Sequence, residues 1–404
     1  MSDGEKEKVA SRAEAARKAL LAAIPSPDNY PDAKPDLVAG LQKRDFKYAT
    51  AISPQLLEEL GGAILPTKIV TLTFQDAKAL YDEGMYAEFE SRNKTVQDII
   101  DRVDKAISDI KKQEEYKDNG SVDTTGFFVK LSFMSPKDVV LRVQNKKTRD
   151  AMTQKVDELW YNSSIWDQAF VLSASHPTSK QIFLDSLYSS LRVQNGKEAI
   201  AAICQSRRCF EELSDALIDE NYFHTNIILR PWVKLRPGFE FRIYVSNGMI
   251  TAASQYESVY YEEVWKERER LREKIGEFVK GEVIPKLCPR LPSVVIDVVM
   301  ATNGQVYVCE LNPFAASSSA CLFSWSDDKH QLLAGDEEWR FVSPGDVDKK
   351  ATEVPQSWAE VIDGRIEHHR TATFFFPVAV LCVALFNWTY YFYLRERVWK
   401  FVLG

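Results

Sequence analysis

The tightest constraint on this chain of 404 residues lies in a short stretch. Residues 293–313 read S-V-V-I-D-V-V-M-A-T-N-G-Q-V-Y-V-C-E-L-N-P, two β-rich runs about Asn303-Gly304. Asn-Gly between such runs predicts a two-residue type I′ hairpin, because both turn positions need φ > 0. A loop of that length fixes the register. Thr302 then pairs with Gln305, and counting outward sets Asp297 opposite Glu310, with Asn312 on the face of Glu310. Like charges directly opposite destabilise paired strands. A divalent cation turns that repulsion into coordination, and Mg²⁺ takes carboxylate and amide oxygens together with phosphate. The plain alternative is a solvated outer face, which the apolar surroundings of the acids disfavour.

The rest of the composition removes function classes. A net charge of −7 argues against a general nucleic-acid binder. Cys204, Cys209, Cys288, Cys309, Cys321 and Cys382 show no disulfide or zinc spacing, so a reducing compartment is expected. The charged start M-S-D-G-E-K-E-K lacks the apolar core of a signal peptide. There is no G-x-x-x-x-G-K-[ST], G-x-G-x-x-G or H-R-D set, which removes P-loop and kinase readings. No nucleophile–base pair is visible, so no catalytic residue is assigned.

Residues 371–394 carry no charge. As a helix they would reach about 36 Å, enough for a hydrocarbon core of about 30 Å. Trp388, Tyr390, Tyr391 and Tyr393 crowd the far end as an interfacial belt would. A tail anchor with the body in the cytosol is expected; the alternative is a buried terminal helix.

Between these ends the pattern is mixed α/β. We expect an N-terminal helix (1–22) and Pro-rich linker (23–37), with a strand at 66–75 and an amphipathic helix at 95–110. Two short strands should flank Ser135-Pro136-Lys137-Asp138. Helices follow at about 147–161, 178–193 and 196–217, then three strands within 226–254 and a charged helix at 258–285. After A-A-S-S-S-A-C-L-F-S-W (315–325), the acidic, Gly/Pro-punctuated stretch to about 356 is expected to be a mobile loop. In F-V-K-L, Lys130 interrupts an apolar strand and needs an anion, either a phosphate or an acid on a neighbouring strand. In F-E-F-R-I-Y-V, Glu240, Arg242 and Tyr244 share one face. A second Asn-Gly turn at 247–248 sets Glu240 opposite Gln255 and Arg242 opposite Ala253. Beside a small residue, Arg242 could reach a phosphate; an internal Glu–Arg pair is the other reading.

A lysine on one sheet and an acid–acid–amide set on a hairpin, with a Glu/Arg strand between, suit a nucleoside triphosphate with Mg²⁺. The arrangement resembles the ATP-grasp architecture, in which two mainly antiparallel sheets sandwich a nucleotide. More narrowly, five blocks resemble the cell division cycle protein 123 family. They are F-V-K-L-S-F-M-S-P-K-D (128–138), I-I-L-R-P-W-V-K-L-R-P-G-F-E-F-R-I-Y-V (227–245), I-D-V-V (296–299), E-L-N-P-F (310–314) and L-F-S-W (322–325). The resemblance implies ATP and Mg²⁺ as cofactors. It also implies a role as assembly chaperone for translation initiation factor 2 through its gamma subunit. Carried across by motif, Lys130 meets the α- and β-phosphates. Ile228, Leu229, Arg230 and Trp232 line the hinge beside adenine, where Pro231 removes a donor. Glu240 and Arg242 face the nucleotide, Arg242 on phosphate, and Asp297, Glu310 and Asn312 hold Mg²⁺. Tyr256 and Glu257 stand where the family usually has Arg-Asp, Ser319 where it has Asp, and Glu310 replaces an Asp. With the uncharged tail, these departures describe a divergent member. An ATP-grasp ligase making an acyl phosphate and then an amide, and a degenerate membrane scaffold, are the competing readings. The expected layout is 1–40 helix and linker, 41–225 and 226–330 the two parts of the ATP-grasp-like fold, 331–370 an acidic linker and 371–394 a transmembrane helix.

Overall fold

The computed structural model describes residues 50–84, 89, 93–113, 120–162, 177–220, 223–346 and 354–371. The expected N-terminal helix and linker, and nearly all of the uncharged run 371–394, lie outside the described residues. Among the described residues, no helix is long and apolar enough to cross a membrane.

In chain order the elements are α1 (Pro54–Leu60), β1 (Lys68–Thr71), α2 (Phe74–Gly84), α3 (Lys94–Lys111), β2 (Val122–Leu131), α4 (Lys137–Val140), α5 (Lys146–Asn162), α6 (Pro177–Ser190), α7 (Gly196–Gln205) and α8 (Arg207–Ala216). Then come β3 (Asn226–Val233), β4 (Leu235–Ser246), β5 (Met249–Gln255), α9 (Glu262–Phe278), a π-helical turn (Val279–Val283), α10 (Ile284–Leu287), β6 (Val294–Ala301), β7 (Val306–Asn312), α11 (Lys329–Ala334), β8 (Glu338–Arg340) and a helix over 356–371.

The chain divides into two compact units, one of residues 1–142 and 187–351, the other of 143–186 and 352–404. The first holds both sheets. A three-stranded antiparallel sheet has the order β1-β3-β2; a five-stranded sheet has the order β7-β6-β4-β5-β8, with only β8 parallel to its neighbour β5. Against the smaller sheet packs α3, whose stripe Val96, Ile99, Ile100, Val103, Ile107 and Ile110 is wholly buried. That spacing covers one face of a 3.6-residue helix, and Asn93 caps its start by accepting from the Thr95 amide. In the larger sheet Phe239, Phe241, Ile243 and Val245 of β4 enter one core with Leu271 and Ile275 of α9. The opposite face of β4 carries Tyr244, ringed edge-on by Phe314, Phe323 and Trp325. The second unit packs Met152, Val156 and Trp160 of α5 and, among themselves, Phe183 and Trp358. In it Asp157 accepts two bonds from Arg365, at 2.6 and 2.7 Å, and lies 2.7 Å from His369 Nε2.

Both hairpins correct the expected registers. At Asn247-Gly248 both residues have positive φ, 52° and 73°, as a type I′ turn requires. Thr251 is then bulged out, so Arg242 faces Ser254, not Ala253, and Gln255 faces Phe241, not Glu240. At 303–304 the two-residue turn does not form. Ala301 pairs with Gln305 around a three-residue loop, and of Asn303 and Gly304 only the glycine, at φ 81°, is left-handed. That extra loop residue would put Asp297 opposite Cys309. A bulge at Cys309 takes up the slip, and Asp297 stands opposite Glu310 after all.

Elsewhere, 126–141 holds one long strand and the short α4 in place of two strands. The acidic stretch after residue 325, expected as a mobile loop, contains α11 and β8, the latter pinned to β5. The helix expected over 196–217 is broken at Ser206, whose side chain caps α8 through the Cys209 amide.

Candidate functional site

The cleft between the two sheets is built on four charged side chains. In β6, eight residues are all buried, and Asp297 is the one charged residue among them, 1% exposed. A lone carboxylate there would be prohibitive without partners. Its register neighbour across β4–β6 is Arg242, and the guanidinium closes a fork: Nε to Oδ1 and Nη2 to Oδ2, both 2.7 Å. The remaining nitrogen, Nη1, donates to the Ser319 carbonyl at 2.7 Å. Asn312 donates from Nδ2 to Asp297 Oδ2 at 2.8 Å. Arg242 is therefore not free beside a small residue, nor does it pair with Glu240.

The second pair joins the sheets. Lys130, from β2, donates to Glu310 Oε2 of β7 at 2.6 Å. Lys130 is 3% exposed, while Glu310 keeps 28% of its side chain accessible and marks the mouth of the cleft. Beside it Arg230 of β3 donates to the Cys309 carbonyl at 2.8 Å and to Thr67 Oγ1 at 3.0 Å. The bulge thus exposes a carbonyl that the smaller sheet uses as an anchor.

Lys137 adds a further cation. The loop after β2 is held by Glu212, which accepts from the Phe133 and Met134 amides. Asp138 ties α4 to Ser206 and the Arg207 amide. These anchors aim Lys137 inward, over the rings of Tyr188 and Tyr256 at 5.8 and 5.6 Å. Tyr188 in turn donates a short hydrogen bond to Glu257, and Arg242 stacks on the other ring, 5.0 Å from the Tyr256 centroid.

Electrostatics separates the acids. Burial would raise Glu310, but the Lys130 and Lys137 ammoniums outweigh it and hold the carboxyl down to about 2. Burial pushes Glu240 up to about 8, against Lys137 and with help from Asp297, Glu257 and Glu310. Asp297 also feels burial first, opposed by its bonds from Arg242. Burial alone would lower Lys137; the fields of Glu240, Glu310, Cys309 and Glu257 win and raise it.

Of the residues singled out in the sequence, Lys130, Glu240, Arg242, Asp297, Glu310 and Asn312 therefore share one cleft. The strand expected as an adenine hinge fits less well. Ile228 and Leu229 are fully buried at the centre of the smaller sheet, flanked by β1 and β2, and Arg230 is committed to Cys309. Trp232 alone of the four is half-buried. Lys137, Tyr188, Tyr256 and Glu257 were not recognised in the sequence as site residues. Lys137 lay inside the quoted S-P-K-D block; the tyrosines carry no local signal and are assembled only by the fold.

The donor set suits a hard cation. Two carboxylates and an amide oxygen are the ligands Mg²⁺ takes, alongside phosphate. Among the described residues, no three His, Cys, Asp or Glu side chains group closely enough to hold a metal. A cation held by Asp297 and Glu310 would need Asn312 as third donor, and both acids are engaged by Arg242 and Lys130.

Comparison with known proteins bears on the same segment. Residues 186–362 match the D123 family model. The translation initiation factor eIF2 assembly protein of Candida albicans is 33% identical over 131 residues, covering 31% of this chain and 38% of that protein. Cell division cycle protein 123 of Candida glabrata is 26% identical over 162 residues, covering 34% and 45%. The chain thus spans less than half the length of these curated relatives. A solved structure of C-terminally truncated Cdc123 from Schizosaccharomyces pombe superposes with a TM-score of 0.51 at 16% identity, covering 75% of this chain and 98% of that one, a likeness of fold. The chain is thus similar to the D123 family over residues 186–362, and in part to curated cell division cycle protein 123 and eIF2 assembly proteins.

Proposed function

We propose that this protein binds ATP with Mg²⁺ in the cleft between its sheets and assists assembly of translation initiation factor 2 through the gamma subunit. The assembly role is drawn from its relatives, several of which are named eIF2 assembly proteins. The nucleotide role rests on one observation: two cations of the cleft, Lys130 and Arg242, are each paired with an acid that a metal would claim. Lys130 sits on Glu310 and Arg242 on Asp297. Mg²⁺ held by the two acids and Asn312 would free both cations for phosphate, and Lys137 would offset part of the negative charge that Mg-ATP brings. When bound, the metal offsets phosphate charge; the chain's own part is to position it and to hold the two sheets together around the ligand. Glu310, the more open acid, is the first partner to be exchanged.

Capture of purified gamma subunit on the immobilised chain, with and without Mg-ATP, tests the assembly role. Retention that depends on nucleotide is expected; equal recovery by a control surface overturns it. The tail anchor rests on residues 371–394 alone. The full chain should resist carbonate extraction from membranes, and its complete release would remove the anchor.

A further inference from the structure

A second cleft, of about 540 Å³, lies on the far side of the larger sheet's edge, between α9 and β8. Its floor is aromatic. Trp339 and Phe341 stack with centroids 6.1 Å apart and 16° between planes, and both back onto Phe241 of the core. Trp265 and Leu322 close the sides. The rim is mixed: Arg268, Arg272 and Arg340 stand beside Glu269 and Asp346, the latter accepting two bonds from Ser343. Arg268 and Arg272 stand one turn apart on α9, so they project to the same side. Arg268 lies over the Trp265 ring at 4.4 Å, donates to the Trp265 carbonyl at 2.8 Å and makes a loose 3.5 Å contact with the exposed Glu269. Arg272 has no carboxylate within ion-pair distance among the described residues. Arg340 is different: Asp328 and Glu338 already neutralise it, at 2.7 Å each. β8 is also the outermost strand of its sheet, with no strand beyond it among the described residues.

We propose that this cleft docks an acidic, extended peptide segment of a partner protein that carries an aliphatic or aromatic side chain. The two under-neutralised guanidiniums, one turn apart, select carboxylates. The half-buried rings take the apolar side chain, and the outer edge of β8 favours an extended backbone. A basic segment would meet like charge, and a purely polar acidic one would leave the rings uncovered. The proposal does not depend on nucleotide binding, because no residue of this cleft belongs to the charged site between the sheets.

The test uses the full-length chain and three fluorescein-labelled six-residue peptides: alternating aspartate and leucine, alternating lysine and leucine, and alternating aspartate and serine. Fluorescence polarisation should place the first at least tenfold tighter than either other, with affinity falling as salt rises. Arg268→Glu with Arg272→Glu should cost at least tenfold without changing the thermal melt, since both side chains reach solvent. Absence of binding by the first peptide at millimolar concentration overturns the proposal. So does equal binding of all three, or indifference to the double reversal. A concentration-dependent dimer that the double reversal dissociates would assign the cleft to a second copy of the chain and overturn it equally.

Discussion

The two faces of β4 solve burial in opposite ways. Phe239, Phe241, Ile243 and Val245 enter an apolar core, where every methylene removed from water stabilises the fold. Glu240, Arg242 and Tyr244, the alternate residues of the same strand, face a cleft where charge is buried in pairs. Burying an ion pair seldom gains over an apolar pair of equal size. The apolar face therefore accounts for stability more directly than the charged face does. Its pairs are held at 2.6–2.7 Å, and each contains an acid suited to a metal and a base suited to phosphate.

The largest expected effects set these faces against each other. Phe241→Ala should lose about 3–5 kcal/mol of unfolding free energy through the cavity it leaves. Arg242→Leu should lose a similar amount, about 3–5 kcal/mol, because Asp297 remains buried and uncompensated. The two diverge on adding a second change. Arg242→Leu with Asp297→Leu should recover most of that loss in denaturant melts, and the doubly apolar protein should bind no Mg-ATP. A double variant as unstable as the single one would mean the charged face is structural.

Lys130→Met comes next. It keeps the apolar stem and releases Glu310, which can reach water, so stability should fall by no more than about 1 kcal/mol. ATP affinity should drop by about 1–3 kcal/mol, the scale of a charge-assisted contact. Unchanged affinity by isothermal titration would remove Lys130 from the phosphate side.

The pH effects come last. Folded Glu240 keeps its proton up to about pH 8, whereas the unfolded chain has released it above about 4.3. The folded state then binds more protons between those values, so stability should decline as pH rises from about 5 to 8. Glu240→Gln should flatten that decline in melting temperature. Glu310 acts in the opposite sense: held at about 2 when folded, it contributes stability above the unfolded value that is lost as pH falls toward 2. A Glu240→Gln melt with an unaltered pH slope would show the carboxyl to be ordinary.

Much of the site was legible because sheet alternation is strict. It places Glu240, Arg242 and Tyr244 on one face, and Asp297 against Glu310, from spacing alone. The latter pairing survived for a reason the sequence hid: a longer turn and the Cys309 bulge cancel. Bulges respond to tertiary packing, so the uncompensated one at Thr251 moved Arg242 off its expected neighbour. The partners of Arg242 and Lys130 were also beyond local reading, since β4–β6 and β2–β7 proximity is decided by the order and stacking of the sheets. Tyr188 and Tyr256 come from a helix and a strand end about 70 residues apart and meet only around Lys137.

The central claim is that the cleft's ion pairs exchange partners when metal and nucleotide enter together. Isothermal titration of the full chain with ATP, with and without Mg²⁺, tests it most directly. The account predicts binding that Mg²⁺ strengthens, by about tenfold or more, and that Asp297→Asn returns to the metal-free level. ATP binding of equal strength with and without Mg²⁺, or none in either case, would contradict it.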